Sequence, residues 1–144
     1  MTTLDRVTRE IVDLHDFFTA WFTGAIDRDQ LEPRFLSHMA DDMQLIPPQG
    51  HVVTKADLRV AFEAGWGVNP HFRIQIRDVS VRVERGSLVM ATYTEWQKGT
   101  GGDVEAQTAR ISSALLEMGE PILWLHLQET WLPEAMRGDG DFAF

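Results

Sequence analysis

Apolar residues recur at three- and four-residue spacing from Val7 through Ile11, Leu14, Phe18 and Phe22 to Ala25, which predicts a long amphipathic helix with one face on a core. Thr2 and Asp5 have the spacing of a capping box at its start, and Gly24 marks its end. Asp29 with Glu32 opens a short second helix running to about His38; Pro33 falls in its first turn, where a missing N–H does least harm. A brief strand, Met43–Ile46, stops at Pro47-Pro48. Thr54 and Asp57 form a second capping box, starting a third helix that runs to about Ala64 and ends in Gly65-Trp66-Gly67.

After Pro70 the period changes to two. Phe72, Ile74 and Ile76 alternate, then Val79, Val81 and Val83 alternate on the opposite parity, so a bulge or bend is expected near Arg77-Asp78. Three long strand-like runs follow: Leu88–Gln97, Ala106–Glu117 and Ile122–Leu132. Residues 134–144, with Gly138 and Gly140, read as a flexible tail behind a single domain over 1–133. Helices followed by a four-strand antiparallel meander predict an α+β fold, with about three N-terminal helices on one face of a curved sheet.

Each of the three runs carries an ionisable residue where a core residue is expected: Glu95, Arg110 and Glu129. If Met118–Pro121 is a four-residue hairpin loop, Glu117 pairs with Ile122, and Arg110 lies opposite Glu129. Pairing Gly99 with Ala106 puts Glu95 opposite Arg110; a slip of two puts Tyr93 there instead. Either register collects Tyr93, Glu95, Arg110, Ser112 and Glu129 on one face with Val89, Ala91, Leu125, Leu127 and Trp131. Leu88, Met90, Trp96, Leu115 and Trp124 then lie on the other face, where they would be an exposed apolar patch in a monomer. Two accounts of the charged row stand side by side. It is a structural ion network on a half-exposed sheet edge, or it lines a cavity.

The second account assigns candidate roles. Glu129 and Glu95 form an acid/base pair, one raised by burial and the other held ionised by Arg110, while Tyr93 donates a hydrogen bond to a developing oxyanion. Arg110 and Ser112 contact a ligand's polar end, and Phe18, Trp21, Trp66 and Leu127 wall its apolar body. His15, His38, His51 and His71 show no ligand spacing, so no metal site is expected.

Composition narrows this only a little. With 144 residues and a formal net charge of −9, the chain is one domain's length and is a poor match to nucleic acid. Cysteine is absent, which excludes thiolate chemistry. No apolar run approaches the ~18 residues of a membrane span, and no leader pattern opens the chain, so a soluble cytoplasmic protein is expected. Neither a phosphate loop nor a dinucleotide fingerprint is present, and no cofactor is expected.

Several segments carry a resemblance in the same order. They are the long first helix, Phe35 through Ala40-Asp41-Asp42-Met43, Pro48-Gln49-Gly50-His51-Val52, Lys55-Ala56-Asp57-Leu58 and the ending Trp124-Leu125-His126-Leu127-Gln128-Glu129-Thr130-Trp131-Leu132-Pro133. Over roughly residues 4–133 the chain resembles the NTF2-like superfamily, also called the SnoaL-like or cystatin-like cone fold. The resemblance implies a cone-shaped, strongly curved sheet with an internal small-molecule pocket on its concave side, and a homodimer through the opposite face. The last three strands are similar to the association domain of calcium/calmodulin-dependent kinase II. That domain places arginines where this chain has Tyr93, Ser112 and Glu129, so its anion preference does not carry over. Ketosteroid isomerase relatives have an aspartate base where this chain has Pro47, which leaves that chemistry without its base. The resemblance thus implies a ligand-binding homodimer, or an isomerase, dehydratase or polyketide-cyclase type of enzyme that uses Glu129 or Glu95 instead.

Overall fold

The computed structural model describes residues 1–144, apart from the side chain of Asp139. Helix α1 spans Thr3–Thr23, α2 Leu31–Arg34 and α3 Lys55–Gly65. The strands are β1 (Met39–Ile46), β2 (Val53–Thr54), β3 (Arg73–Arg85), β4 (Leu88–Lys98), β5 (Gln107–Glu117) and β6 (Leu123–Trp131). They form one sheet in the order β2-β1-β6-β5-β4-β3. The meander from β3 to β6 is antiparallel, as expected. Strand β1 extends it by lying parallel to β6, and it begins at Met39 rather than Met43.

Both capping boxes form. Thr2 accepts from the Asp5 N–H and Asp5 accepts from the Thr2 N–H, each at 3.0 Å, and Thr54 and Asp57 repeat the exchange at 3.2 and 3.0 Å. Such a cap is worth about 1 kcal/mol. Gly24 closes α1 at φ 77°, and its N–H reaches back to the Ala20 and Trp21 carbonyls. The buried side of α1 holds Val7, Ile11, Leu14, His15, Phe17 and Trp21. It packs on the inner sheet face against Val89, Ala91, Tyr93, Ala114, Leu116 and Trp124. Phe35 and Phe62 close the helical side, their rings 4.5 Å apart.

The parity switch in β3 is a bulge at the expected place. Asp78 adopts φ 58°, and the ladder skips between Arg77↔Thr94 and Ser80↔Thr92. Between β4 and β5 the register pairs Glu95 with Arg110 and Tyr93 with Ser112. The β5–β6 register corrects the expectation. Glu117 pairs with Leu123, not Ile122, because the connecting loop is one residue longer than a four-residue hairpin. A second residue is absorbed between Leu116↔Trp124 and Leu115↔His126, where Leu125 bulges out of the ladder. The two slips add up to two positions, which preserves the face of Glu129 but makes Ser112 its cross-strand partner and Trp131 that of Arg110.

The bulge also moves Trp124. Expected on the outer patch, it is wholly buried in the core instead. Trp96 does lie outside the main core, but it is covered. The segment expected to be a flexible tail makes two short 3-10 turns and lays Phe142 against Trp96, Ala109 and Leu132. Arg77 holds this segment by pairing with the Asp141 carboxylate at 3.4 Å and stacking 4.6 Å from the Trp96 ring. Val83, Leu88 and Ile111 remain exposed. No helix among the described residues is long and apolar enough to cross a membrane.

Candidate functional site

Between the inner sheet face and the helices lies a cavity of about 150 Å³. Its walls are mostly apolar: Leu14 and Phe18 from α1, Phe35, Met39, Met43 and Leu45 from the α2–β1 region, Leu58 and Phe62 from α3, and Trp124 and Leu127 from β6. Its polar end is formed by His15, Glu95, Arg110 and Glu129. Strand alternation brings the two glutamates and the arginine to this face from three adjacent strands. Helix α1 adds the histidine from above, one turn after Ile11.

The geometry fixes the protons at this end. The His15 Nδ1 lies 2.7 Å from the Ile11 carbonyl oxygen, which can only accept, so Nδ1 carries a hydrogen. The other ring nitrogen, Nε2, lies 2.9 Å from Oε1 of Glu95. A carboxylate and a bare nitrogen cannot face each other at that distance, so a proton lies between them. Burial disfavours a charged imidazole, but the Glu95 charge and hydrogen bond, with the Ile11 carbonyl and Glu129 behind them, outweigh it and raise the His15 pKa. Burial likewise pushes Glu95 up; His15, then Arg110, then a hydrogen bond from Gln97 override it and hold Glu95 down to about 2. The pair is therefore imidazolium and carboxylate.

Glu129 behaves oppositely. Arg110 Nη1 donates to its two oxygens at 3.3 and 3.4 Å, but the same guanidinium also lies 3.9 Å from Glu95. Burial first, and the Glu95 charge second, raise the Glu129 pKa against the pull of Arg110 and His15. Two carboxylates thus share one cation, and only Glu95 has a second. Arg110 is held from outside by the Trp131 ring, 4.8 Å from its guanidinium carbon, while its Nε finds no acceptor.

Of the residues singled out in the sequence, Glu95, Arg110, Glu129, Phe18 and Leu127 meet at this cavity. Tyr93 and Ser112 are fully buried behind it, paired across β4 and β5, and neither hydroxyl has a partner. Burial and then the two glutamates keep the Tyr93 phenol protonated far above its ordinary range. Trp21 and Trp66 do not line the cavity. Their indole N–H groups donate to the Phe62 and Ile26 carbonyls at 2.8 Å each, tying α3 and its C-cap to α1 and to the loop after α1. His15 was missed, although it falls four residues after Ile11 on the apolar face of α1. It is a misfit of the same kind as the charged strand residues. Gln97 was missed too, two residues beyond Glu95 and on the same side of β4. Among the described residues no group of three or more histidines, cysteines or acidic residues is placed to hold a metal ion.

No protein-family model and no curated protein matches the chain. Solved structures do. The chain is similar to an NTF-2 like protein of unknown function from Pseudomonas aeruginosa, at 27% identity and a TM-score of 0.79, over 89% of this chain and 99% of that one. It is similar to the CaMKII hub of S. rosetta at 11% identity and a TM-score of 0.65, over 86% and 95% of the two chains. It is also similar to a ketosteroid isomerase-like protein from Erwinia carotovora atroseptica, at 13% identity and a TM-score of 0.59, over 90% and 96%. The fold is that of the NTF2-like superfamily, the cystatin-like cone that the sequence resembles.

Proposed function

We propose that the protein binds a small molecule in the cone, with an apolar body of about one ring and a polar tip at Glu129 and Arg110. The cavity carries this reading. A void of about 150 Å³ lined by apolar side chains is large enough for a benzene-sized molecule. At its polar end, the raised pKa of Glu129 marks the acid most easily changed by a bound group. Phenol, which has one ring and one hydroxyl, is a suitable probe. Titrated into isotopically labelled protein, it should give saturable amide shifts at Phe18, Trp124 and Leu127. Leu127→Phe, which fills the cavity, should abolish them. Shifts that are absent, or that survive this substitution unchanged, would refute cavity binding.

The opposed behaviour of the two glutamates favours a second reading, in which the site moves a proton. Glu129, neutral more readily than an ordinary carboxyl, would exchange a proton with the bound molecule while Glu95 stays ionised. The position of the ketosteroid isomerase base is Pro47, beyond the end of β1, so this chemistry would fall to Glu129. Deuterium exchange next to the carbonyl of cyclohexanone tests it. Exchange catalysed by the native chain and lost in Glu129→Gln supports proton transfer; no acceleration over buffer leaves ligand binding as the whole function.

The copy number belongs with either reading. Exposed Val83, Leu88 and Ile111 on the outer sheet face support a homodimer, and two of the similar structures are described as a CaMKII hub and a putative kinase association domain.

A further inference from the structure

The polar end of the cone holds two cations, His15 and Arg110, and two acids, Glu95 and Glu129, none with a side chain more than 13% exposed. The other elements around the cavity add no charge. Strand β1, α3 and the residue after α2 contribute only apolar side chains, as do Trp124 and Leu127 of β6. The nearby Tyr93 phenol stays protonated. With both acids ionised the cluster is neutral as a whole. A bound ion would unbalance it, in a place where an unpaired charge is costly.

Hydrogen bonding decides how the balance can be restored. His15 cannot release a proton, because both of its ring nitrogens face acceptors, the Ile11 carbonyl oxygen and Glu95 Oε1. Arginine keeps its proton in proteins. Glu95 is a poor place to add one, since it accepts from His15 on one oxygen and from Gln97 on the other, with Arg110 beside it. Among the described residues Glu129 has a single partner, Arg110 Nη1, at 3.3 and 3.4 Å. Burial and the Glu95 charge already raise its pKa. The cluster thus has a place for one more proton and none that it can give up. It can balance an anion and cannot balance a cation. On taking the proton, the Glu129 carboxyl also gains an O–H with which to hold an anion beside Arg110.

Resting on the ligand pocket proposed above, we infer that its ligand is a small organic acid with a one-ring apolar body, bound as the anion together with one proton that Glu129 takes up from solvent. Both cations are already paired, so they make no standing anion site, and the proton completes it.

Benzoate has such a body and charge, and benzamide has nearly the same shape without the charge. Titrated into the labelled native chain, benzoate should give saturable amide shifts at Phe18, Trp124 and Leu127. Its affinity should fall about tenfold for each unit of pH rise above the folded-state pKa of Glu129. Calorimetry in two buffers of different ionisation enthalpy should show uptake of about one proton per benzoate in that range, and none with benzamide. Benzoate affinity that stays level as the pH rises, binding without proton uptake, or benzylamine bound as tightly as benzoate at the acid end of that range would overturn the assignment without any variant. In Glu129→Gln, benzoate should bind with no proton uptake. Uptake that persists would place the proton elsewhere and refute the role of Glu129. Phenol separates this reading from the one it rests on. Phenol binding where benzoate does not would overturn the organic-acid assignment and leave the cavity reading standing; if neither binds, both fall.

Discussion

Glu95 and Glu129 stand on the same sheet face and within reach of the same guanidinium, and what separates their chemistry is the histidine that only one of them has. The consequence for stability has a definite sign. The folded-state pKa of Glu95, about 2, lies below its reference of 4.5, so its contribution is present above 4.5 and is lost as the pH falls towards 2. His15 is raised above 6.5, so its contribution is full below 6.5 and is lost as the pH rises through its folded value. Glu129 is raised above 4.5, so folding favours its neutral form and stability declines as the pH rises through its folded value. Glu95→Gln should therefore cost about 3–5 kcal/mol at neutral pH, because it leaves the buried His15 and Arg110 undercompensated. Glu129→Gln should cost less than about 1 kcal/mol, since it also removes a disfavoured charge, and should abolish the Glu129-linked part of the decline with pH. Urea denaturation across the acid-to-neutral range measures both. The strand members of this cluster were legible because a charge breaks a two-residue alternation visibly. His15 was not, because a single histidine among Ile11, Leu14 and Phe18 passes for a polar neighbour until the helix is drawn in register.

At the scale of the elements, what could be read was whatever local residue types dictate. Thr2 with Asp5, and Thr54 with Asp57, are capping boxes in both sequence and structure, and the valine parity switch locates the Asp78 bulge. The β4–β5 register was legible as one of two, with Gly99 bonded to Ala106 across the ends of the strands. The β5–β6 register was not, because no glycine or proline marks the bulge at Leu125. Strands choose such a bulge from packing, here the burial of Trp124 between α1 and the sheet, rather than from local preference. Trp124 also donates its indole N–H to Glu10 at 3.2 Å, a contact that is out of reach from the outer face. Trp124→Ala should cost about 3–5 kcal/mol. Deleting Leu125 should lose stability of the same order by turning the indole outward, with the loss of Trp124 protection seen in fluorescence quenching. A deletion as stable as the native chain, with Trp124 still shielded, would contradict this account of the bulge.

Across the whole molecule, the cone follows from a helix-first order and a curved meander, and strand alternation puts the row of charges on the face that lines its hollow. The outer face was less legible. Both tryptophans assigned to it are covered, Trp124 by the bulge and Trp96 by Phe142, whose segment reads as a tail in the sequence because of Gly138 and Gly140. The apolar residues still exposed on the outer face, Val83, Leu88 and Ile111, predict that sedimentation at micromolar concentration finds twice the chain mass of 16.4 kDa. A stable species at the single-chain mass would refute the dimer. The central claim is that a hollow cone holds two acids of opposite character at one end of its cavity. A carbon-13 titration of the side-chain carboxyls, assigned with Glu95→Gln and Glu129→Gln, tests it most directly. The account predicts that Glu95 titrates near 2 and Glu129 above 4.5. Two carboxyls titrating together at the ordinary glutamate value would place them in solvent and contradict it.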